Sequence, residues 1–407
     1  MKSSKSEIRS PVHRIPTIQF EDQPRLTSFA GLVVFMQLFQ RLGLKARLQR
    51  CFSHLGVAPI FGYGTVVLLL VVHLLLGFRR LRGLDHYRHD PLVARVVGLR
   101  KLPDVATVSR TLSSVDAAAV AALRAESRTL VLEGLQAHGL ARLTLDFDGT
   151  VQSTKGHAEG TAVGFNKVKK GARSYYPLFC TVAQSGQFLD LHHRSGNVHD
   201  SNGAPAFMRE CIKHVRQALP HAVLEARMDS AFFNDDVFPV MGSECVEFTC
   251  SVPFERFAEL KKMIADRKRW TEINARWAYF EFEWKPKCWD RRYRLIAVRQ
   301  RHPSQRKGPL QLDLFEPRDE EFDYKIIATN KTSSADSVLK FHNGRGSQEK
   351  VLGEGKQHVA LDVIPTKTLL GNQLFTITSM LTHNLARRLQ METAAPAARA
   401  NPKRPAM

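Results

Sequence analysis

No Cys-x-x-Cys pair occurs among the 407 residues, and the six cysteines (Cys51, Cys180, Cys211, Cys245, Cys250 and Cys288) are scattered. That spacing offers neither a zinc ribbon nor a disulfide framework, and it suits thiols kept reduced in a cytosol. No apolar secretory segment is found at the start, where Met1 to Arg25 is polar and basic. Nor does any apolar run reach the roughly 20 unbroken residues that a bilayer-spanning helix needs. The nearest, Val57 to Phe78, is interrupted by Pro59, Gly62, Gly64 and His73, and its densest part, Thr65 to Leu76, reads as a buried helix. No internal repeat is visible. Acidic side chains are also scarce: 39 Asp and Glu stand against 59 Lys and Arg, a net charge of +20. Such a surplus favours a polyanion as partner, because each cation that neutralises a phosphate releases a counterion. A basic protein without any nucleic-acid role is the competing reading.

What is present divides by periodicity. Residues 1–24 read as a flexible basic arm. Over residues 25–140 apolar positions recur every three to four residues, and Leu32–Leu48, Val66–Leu76, Pro91–Gly98 and Val115–Gln136 are expected as separate helices. Between them Asp104 is placed to cap a helix that carries Thr107, Ser109 and Arg110. This is either an ordinary capped helix or the second helix of a helix-turn-helix, with Arg110 toward DNA.

At Ala141 the pattern changes. Leu143 to Asp148 alternates as a half-buried strand should. Strands Tyr175–Ala183 and Gln187–His193 follow, joined at Ser185-Gly186 as a hairpin. A helix from Ala204 to Leu219, a strand from Ala222 running into Asp229, and a strand Val246–Ser251 complete the series. A three-strand meander, a helix and a strand ending in Asp is the order of a ribonuclease-H-like sheet. The expected fold is therefore mixed α/β (α+β). A ribonuclease-H-like catalytic core spans 141–253 and 326–392, preceded by a helical DNA-binding domain at 25–140. A mostly β insertion at 254–325 lies between the last core strand and the Glu-bearing helix, and holds all four tryptophans (Trp270, Trp277, Trp284, Trp289) and a polar loop from Arg299 to Lys307. Those tryptophans either stack on a displaced base or pack in a β core. Residues 393–407, rich in Ala, Pro and Arg, read as a disordered tail.

Cleaving a phosphodiester with two divalent ions requires hard oxygen ligands that converge from distant parts of the chain. Three acidic positions answer that need. Asp146 and Asp148 share one face of the first strand, since side chains alternate. Asp229 ends the fourth core strand. Glu349 sits four residues after Arg345 and seven before Lys356, so on a helix all three fall within about 40° of one another. Lys169, within the basic run Lys167 to Lys170, is either a solvated loop residue or a DNA contact. His192-His193 and His199-Asp200 read more readily as surface or phosphate-contacting residues than as metal ligands.

In these motifs the chain resembles the DDE transposases of bacterial insertion sequences, in the branch called transposase DDE domain group 1. That family carries a signature of Tyr, two residues, Arg, three residues, Glu, six residues, Lys. Arg345, Glu349 and Lys356 reproduce its spacing, with His342 at the tyrosine position beside Phe341. The likeness continues in order through Leu145 to Thr150, Tyr176-Pro177-Leu178, Arg194 to Asn197, Asp229 to Phe232, Gly371-Asn372 and His383-Asn384-Leu385. It implies a triad of Asp148, Asp229 and Glu349 holding Mg²⁺, with Mn²⁺ able to substitute, while Asp146 stays open as a rival to Asp148. It implies that Arg345 and Lys356 hold a DNA end, that the N-terminal helices bind terminal inverted repeats, and that strand cleavage is followed by transfer of the 3′-hydroxyl to target DNA. The partners implied are double-stranded DNA and further copies of the chain, as a homodimer or larger synaptic complex in the cytoplasmic nucleoid, with no membrane. Two other readings compete. Asp146-Phe147-Asp148-Gly149-Thr150 also suits a haloacid-dehalogenase-like phosphatase with Asp146 as nucleophile, and the chain could be a catalytically inactive DNA-binding relative.

Overall fold

The apolar spacing of the first third folds as helices: α1 (Leu32–Arg41), α2 (Leu44–Cys51), α3 (Tyr63–Leu75), α4 (Pro91–Val97), α5 (Val105–Ser113) and α6 (Ala117–Gln136). The structure, a computed structural model, describes residues 26–56, 60–164, 166, 169–199, 201–301 and 322–393. The basic arm, the tail after Thr393, Lys167, Val168, Asp200 and the polar loop beyond residue 301 lie outside the described residues. The single helix expected over Leu32–Leu48 is two, because Gly43 takes a left-handed conformation (φ +60°) that an α-helix cannot continue through. Helix α3 buries ten of its thirteen residues. A helix apolar on every side belongs in an interior, and among the described residues no helix is long and apolar enough to cross a membrane.

The remaining strands are β1 (Arg142–Gly149), β2 (Gln152–Ser153), β3 (Ala162–Val163), β4 (Arg173–Tyr175), β5 (Leu178–Val182), β6 (Gln187–His192), β7 (Val223–Met228), β8 (Glu247–Val252), β9 (Thr271–Asn274), β10 (Trp277–Trp284), β11 (Tyr293–Arg301) and β12 (Phe322–Thr329). Among them lie α7 (Ala204–Ala218), α8 (Phe238–Ser243) and α9 (Ala258–Ala265), and after them α10 (Ala335–Asn343), α11 (Gly346–Val359) and α12 (Leu369–Thr393). Nine strands form one sheet in the order β6-β5-β1-β7-β8-β12-β11-β10-β9. Strand β1 is antiparallel to β5 and parallel to β7, and β7 is parallel to β8. This is the ribonuclease-H-like arrangement.

One expectation is corrected. Tyr175–Ala183 is not one strand: Pro177 cannot donate to a ladder, Tyr176 bonds instead to the Arg194 carbonyl, and the chain passes from the small sheet β2-β4-β3 into the large one. Strand β12 pairs with β8 on one side and β11 on the other, so that β9 to β11 of the expected insertion carry the core sheet outward.

Both faces of the sheet are covered. On one, α7 and α8, with the C-terminal end of α6, pack over Phe147, Met228 and Phe248. On the other, α1–α6 share a single apolar core with α11, α12 and the β5–β6 hairpin. Helix α12 is central there, touching α3, α5, α6 and α11. Its Asn384 also closes the sheet edge: Oδ1 accepts from the Phe188 N–H and Nδ2 donates to the Phe188 carbonyl, each at 2.8 Å. With its N–H and C=O both taken, Phe188 offers no backbone group for pairing with another chain.

Candidate active site

The parallel pair β1–β7 sets the site. Its register matches Asp146 with Arg227 and Phe147 with Met228, so the next residues, Asp148 and Asp229, leave neighbouring strands at the same end. Strand alternation puts Asp146, Asp148, Arg227 and Asp229 on one face. Asp229 also caps the turn that follows it, accepting from the Ala231 N–H at 2.9 Å.

Glu349 arrives from above, in the first turn of α11. Arg345, at the N-cap of that helix, joins the elements: its guanidinium lies 3.6 Å from Asp148 and 3.3 Å from Glu349. Asp148 is 18% exposed at its side chain and Glu349 65%. Lys356 follows Glu349 by two turns on the same helix, half-buried. The structure thus brings Asp148, Arg345 and Glu349 into contact and ends β7 beside them with Asp229. Among the described residues, no three His, Cys, Asp or Glu side chains stand close enough to hold a metal ion together. The donors are nonetheless of the right kind for a hard divalent ion, carboxylate oxygens on adjacent strand ends and on a facing helix.

Asp146 has a different occupation. It is fully buried, and Arg227 grips it through two bonds of 2.6 Å, from Nε to Oδ1 and from Nη2 to Oδ2. Arg227 continues to the Phe341 carbonyl at 3.2 Å, and Gln348 Nε2 donates to the Asp146 carbonyl at 2.8 Å. This network ties strands β1 and β7 to the α10–α11 junction. Gly344 in that junction faces Arg227 so closely that an added Cβ would strike its Nη1. Asp146 therefore cannot serve as the nucleophile of a phosphatase: both oxygens are engaged and no path from solvent reaches them.

The other marked residues are dispersed. His342, at the tyrosine position of the signature, is buried, its ring nitrogens 3.0 Å from the Thr249 hydroxyl and 2.9 Å from that of Ser251. Burial, with Lys325, Arg345 and Arg227 nearby, holds its imidazole well below the usual histidine range. Arg110 is exposed on α5, whose cap Asp104 accepts from the Thr107 N–H at 2.7 Å as expected. That helix packs chiefly on α12, α3 and the 3-10 turn Leu81–His86, so the α4–α5 pairing of a helix-turn-helix is not what holds it. Lys169 is exposed in a turn where its N–H bonds to Asn166. His193 is half-buried with its ring edge-on to Tyr175, and withdrawal from water, with His192 beside it, pushes its imidazole down to about 3, while His192 stacks on Phe207. All four tryptophans pack, Trp289 on Phe233, Trp270 on Phe280, Trp284 on Phe257 and Trp277 on the small cluster around Ile296.

Sequence reasoning missed Arg227 and Gln348. Arg227 left a trace, an arginine at an inward position of a buried strand, two residues before Asp229.

No curated protein matches the chain. Among solved structures it is similar to a piggyBac transposase seen in a synaptic complex with hairpin DNA, at 9% identity over 88% of this chain and 74% of that one, with a TM-score of 0.46. The family described as Transposase DDE domain group 1 matches residues 16–404, nearly the whole length. With its signature Arg345, Glu349 and Lys356 on one helix above two strand-end aspartates, the chain belongs to the DDE transposases of that family.

Proposed function

We propose that the protein cuts DNA at the ends of its own insertion sequence and joins the freed 3′-hydroxyl to target DNA, with Asp148, Asp229 and Glu349 as the triad. The observation that carries this reading is the single guanidinium of Arg345 reaching both Asp148 and Glu349, while the rival Asp146 is consumed by Arg227. Mg²⁺, or Mn²⁺ in its place, would be held by the triad oxygens and, when bound, would activate the attacking oxygen and stabilise the leaving one. Arg345 then has two functions. It neutralises carboxylates that would otherwise repel one another, and it presents N–H donors to a phosphate in the fork geometry that suits that anion. Lys356 extends the positive face of α11 along the backbone of the bound end. The net charge of +20 supports DNA as partner. Binding of the terminal repeats by the N-terminal helices, with Arg110 and Lys169 as backbone contacts, and assembly as a homodimer or larger synapse in the nucleoid complete the proposal.

The test is a plasmid carrying the two borders of the DNA segment that encodes the chain, incubated with the purified full-length protein. Cutting at both borders is expected with Mg²⁺ and none with EDTA. Asp229→Asn and Glu349→Gln should bind the borders and leave them intact; cutting by both variants at the normal rate would sink the assignment.

A further inference from the structure

Three further cations lie on the sheet face beneath α10 and α11 or at its margin: Arg227, Lys331 and Lys325. Arg227 has Asp146, and Lys331 has Glu225 and Glu247, each at 2.5 Å. Lys325 differs. It is half-buried in β12, with Val298 opposite it on β11, and its neighbour in the same row, Ile327, packs against Val338 and Leu339 of α10. Its Nζ lies 3.4 Å from the Asn343 side-chain oxygen at the end of α10, two residues before Arg345. No carboxylate among the described residues pairs with it. Burial first, and then the like charge of Arg345, pull its ammonium down to about 8.

A cation withdrawn from water beside a second cation, with one long bond to a neutral amide, lowers stability. Such a group gains when an anion arrives. Arg345 fixes where that anion would be, since its guanidinium lies 3.6 Å from Asp148 and 3.3 Å from Glu349.

We infer that Lys325 contacts a phosphate of the DNA strand held at Arg345 and Asp148, and so is a further substrate-binding residue of the cleavage reaction. The inference rests on the cleavage reading proposed above. The competing role is structural, a donor that merely ties β12 to the end of α10.

The informative variant is Lys325→Met, which keeps an apolar stem of similar length and removes the charge. With a labelled duplex copied from one border of the encoding DNA, cleavage per folded molecule should fall about ten- to a hundredfold, the worth of one hydrogen bond to a charged group. The slope of log affinity against log salt should shrink by about one phosphate contact. The melting temperature should stay level or rise, because a desolvated charge has gone, and Lys325→Arg should recover most of the cleavage. A purely structural lysine predicts the reverse, a lower melting temperature with cleavage per folded molecule and salt slope unchanged, and that outcome overturns the inference. Asp148→Asn and Glu349→Gln run in the same assay. Should both cleave normally, the cleavage reading falls by itself, and the salt slope of Lys325→Met alone decides whether the lysine meets a phosphate.

Discussion

The two aspartates of β1 are separable by experiment, because the structure gives them opposite energetics. Asp146 is fully buried, and Asp146→Asn leaves the Arg227 guanidinium in the interior without its counter-charge. Breaking such a pair from one side costs about 3–5 kcal/mol. At an unfolding entropy of about 2 cal/mol/K per residue, a chain of 407 residues loses about 1.2 °C of melting temperature per kcal/mol, so the fall is about 4–6 °C. Asp148 sits at the strand end, partly exposed, with Arg345 3.6 Å away. A pair of that kind is worth about 1 kcal/mol at most, and Asp148→Asn should move the melting temperature by only about 1 °C. The assay is calorimetry beside border cleavage, with cleavage normalised to folded protein. Asp146→Asn should melt early yet still cut, whereas Asp148→Asn should melt normally and not cut. Early melting of Asp148→Asn together with normal melting and lost cleavage in Asp146→Asn would show that the roles have been exchanged.

Other consequences are as direct. Gly344→Ala places a methyl group on Arg227 Nη1, so it should lower the melting temperature by several degrees, and Arg227→Met should remove most of that penalty, as a double-mutant cycle would record. Arg345→Lys replaces a fork by a single point of charge that cannot serve Asp148 and Glu349 together; single-turnover cleavage should fall at least about tenfold with melting unchanged. Burial pushes the His73 imidazole down to about 4, despite the bond from Nε2 to the Arg80 carbonyl that pulls it upward. The unfolded chain takes up that proton near 6.5, so stability is lost as the pH falls from about 6.5 toward 4. Urea titrations at pH 7 and pH 5 should show the loss, and His73→Gln should narrow it.

Much of the site was legible because its signals are local. Alternation over Leu143–Asp148 placed two aspartates on one face, Asp229 announced the end of a strand, and the spacing of Arg345, Glu349 and Lys356 needed only a helix to align them. The choice between Asp146 and Asp148 was not legible, since it depends on Arg227, 81 residues further along and adjacent only through strand register. Sheet continuity was hidden for the same reason: nothing local in Phe322–Thr329 says that it pairs with β8. The split of Leu32–Leu48 could have been read from Gly43. The resemblance motifs near the C-terminus turn out to be architectural. Asn372 bonds to Thr366 and Tyr175, and Asn384 to Phe188, contacts that no spacing rule predicts.

The order of synthesis gives the position of α12 a temporal meaning. Helix α3 leaves the ribosome almost three hundred residues ahead of the helix that covers it, which begins at Leu369. At about 5–20 residues per second that interval is on the order of 15–60 s, during which a long apolar helix must wait without its partner. A nascent chain stopped short of α12 therefore displays an oily, protease-sensitive flank in place of a finished helical layer.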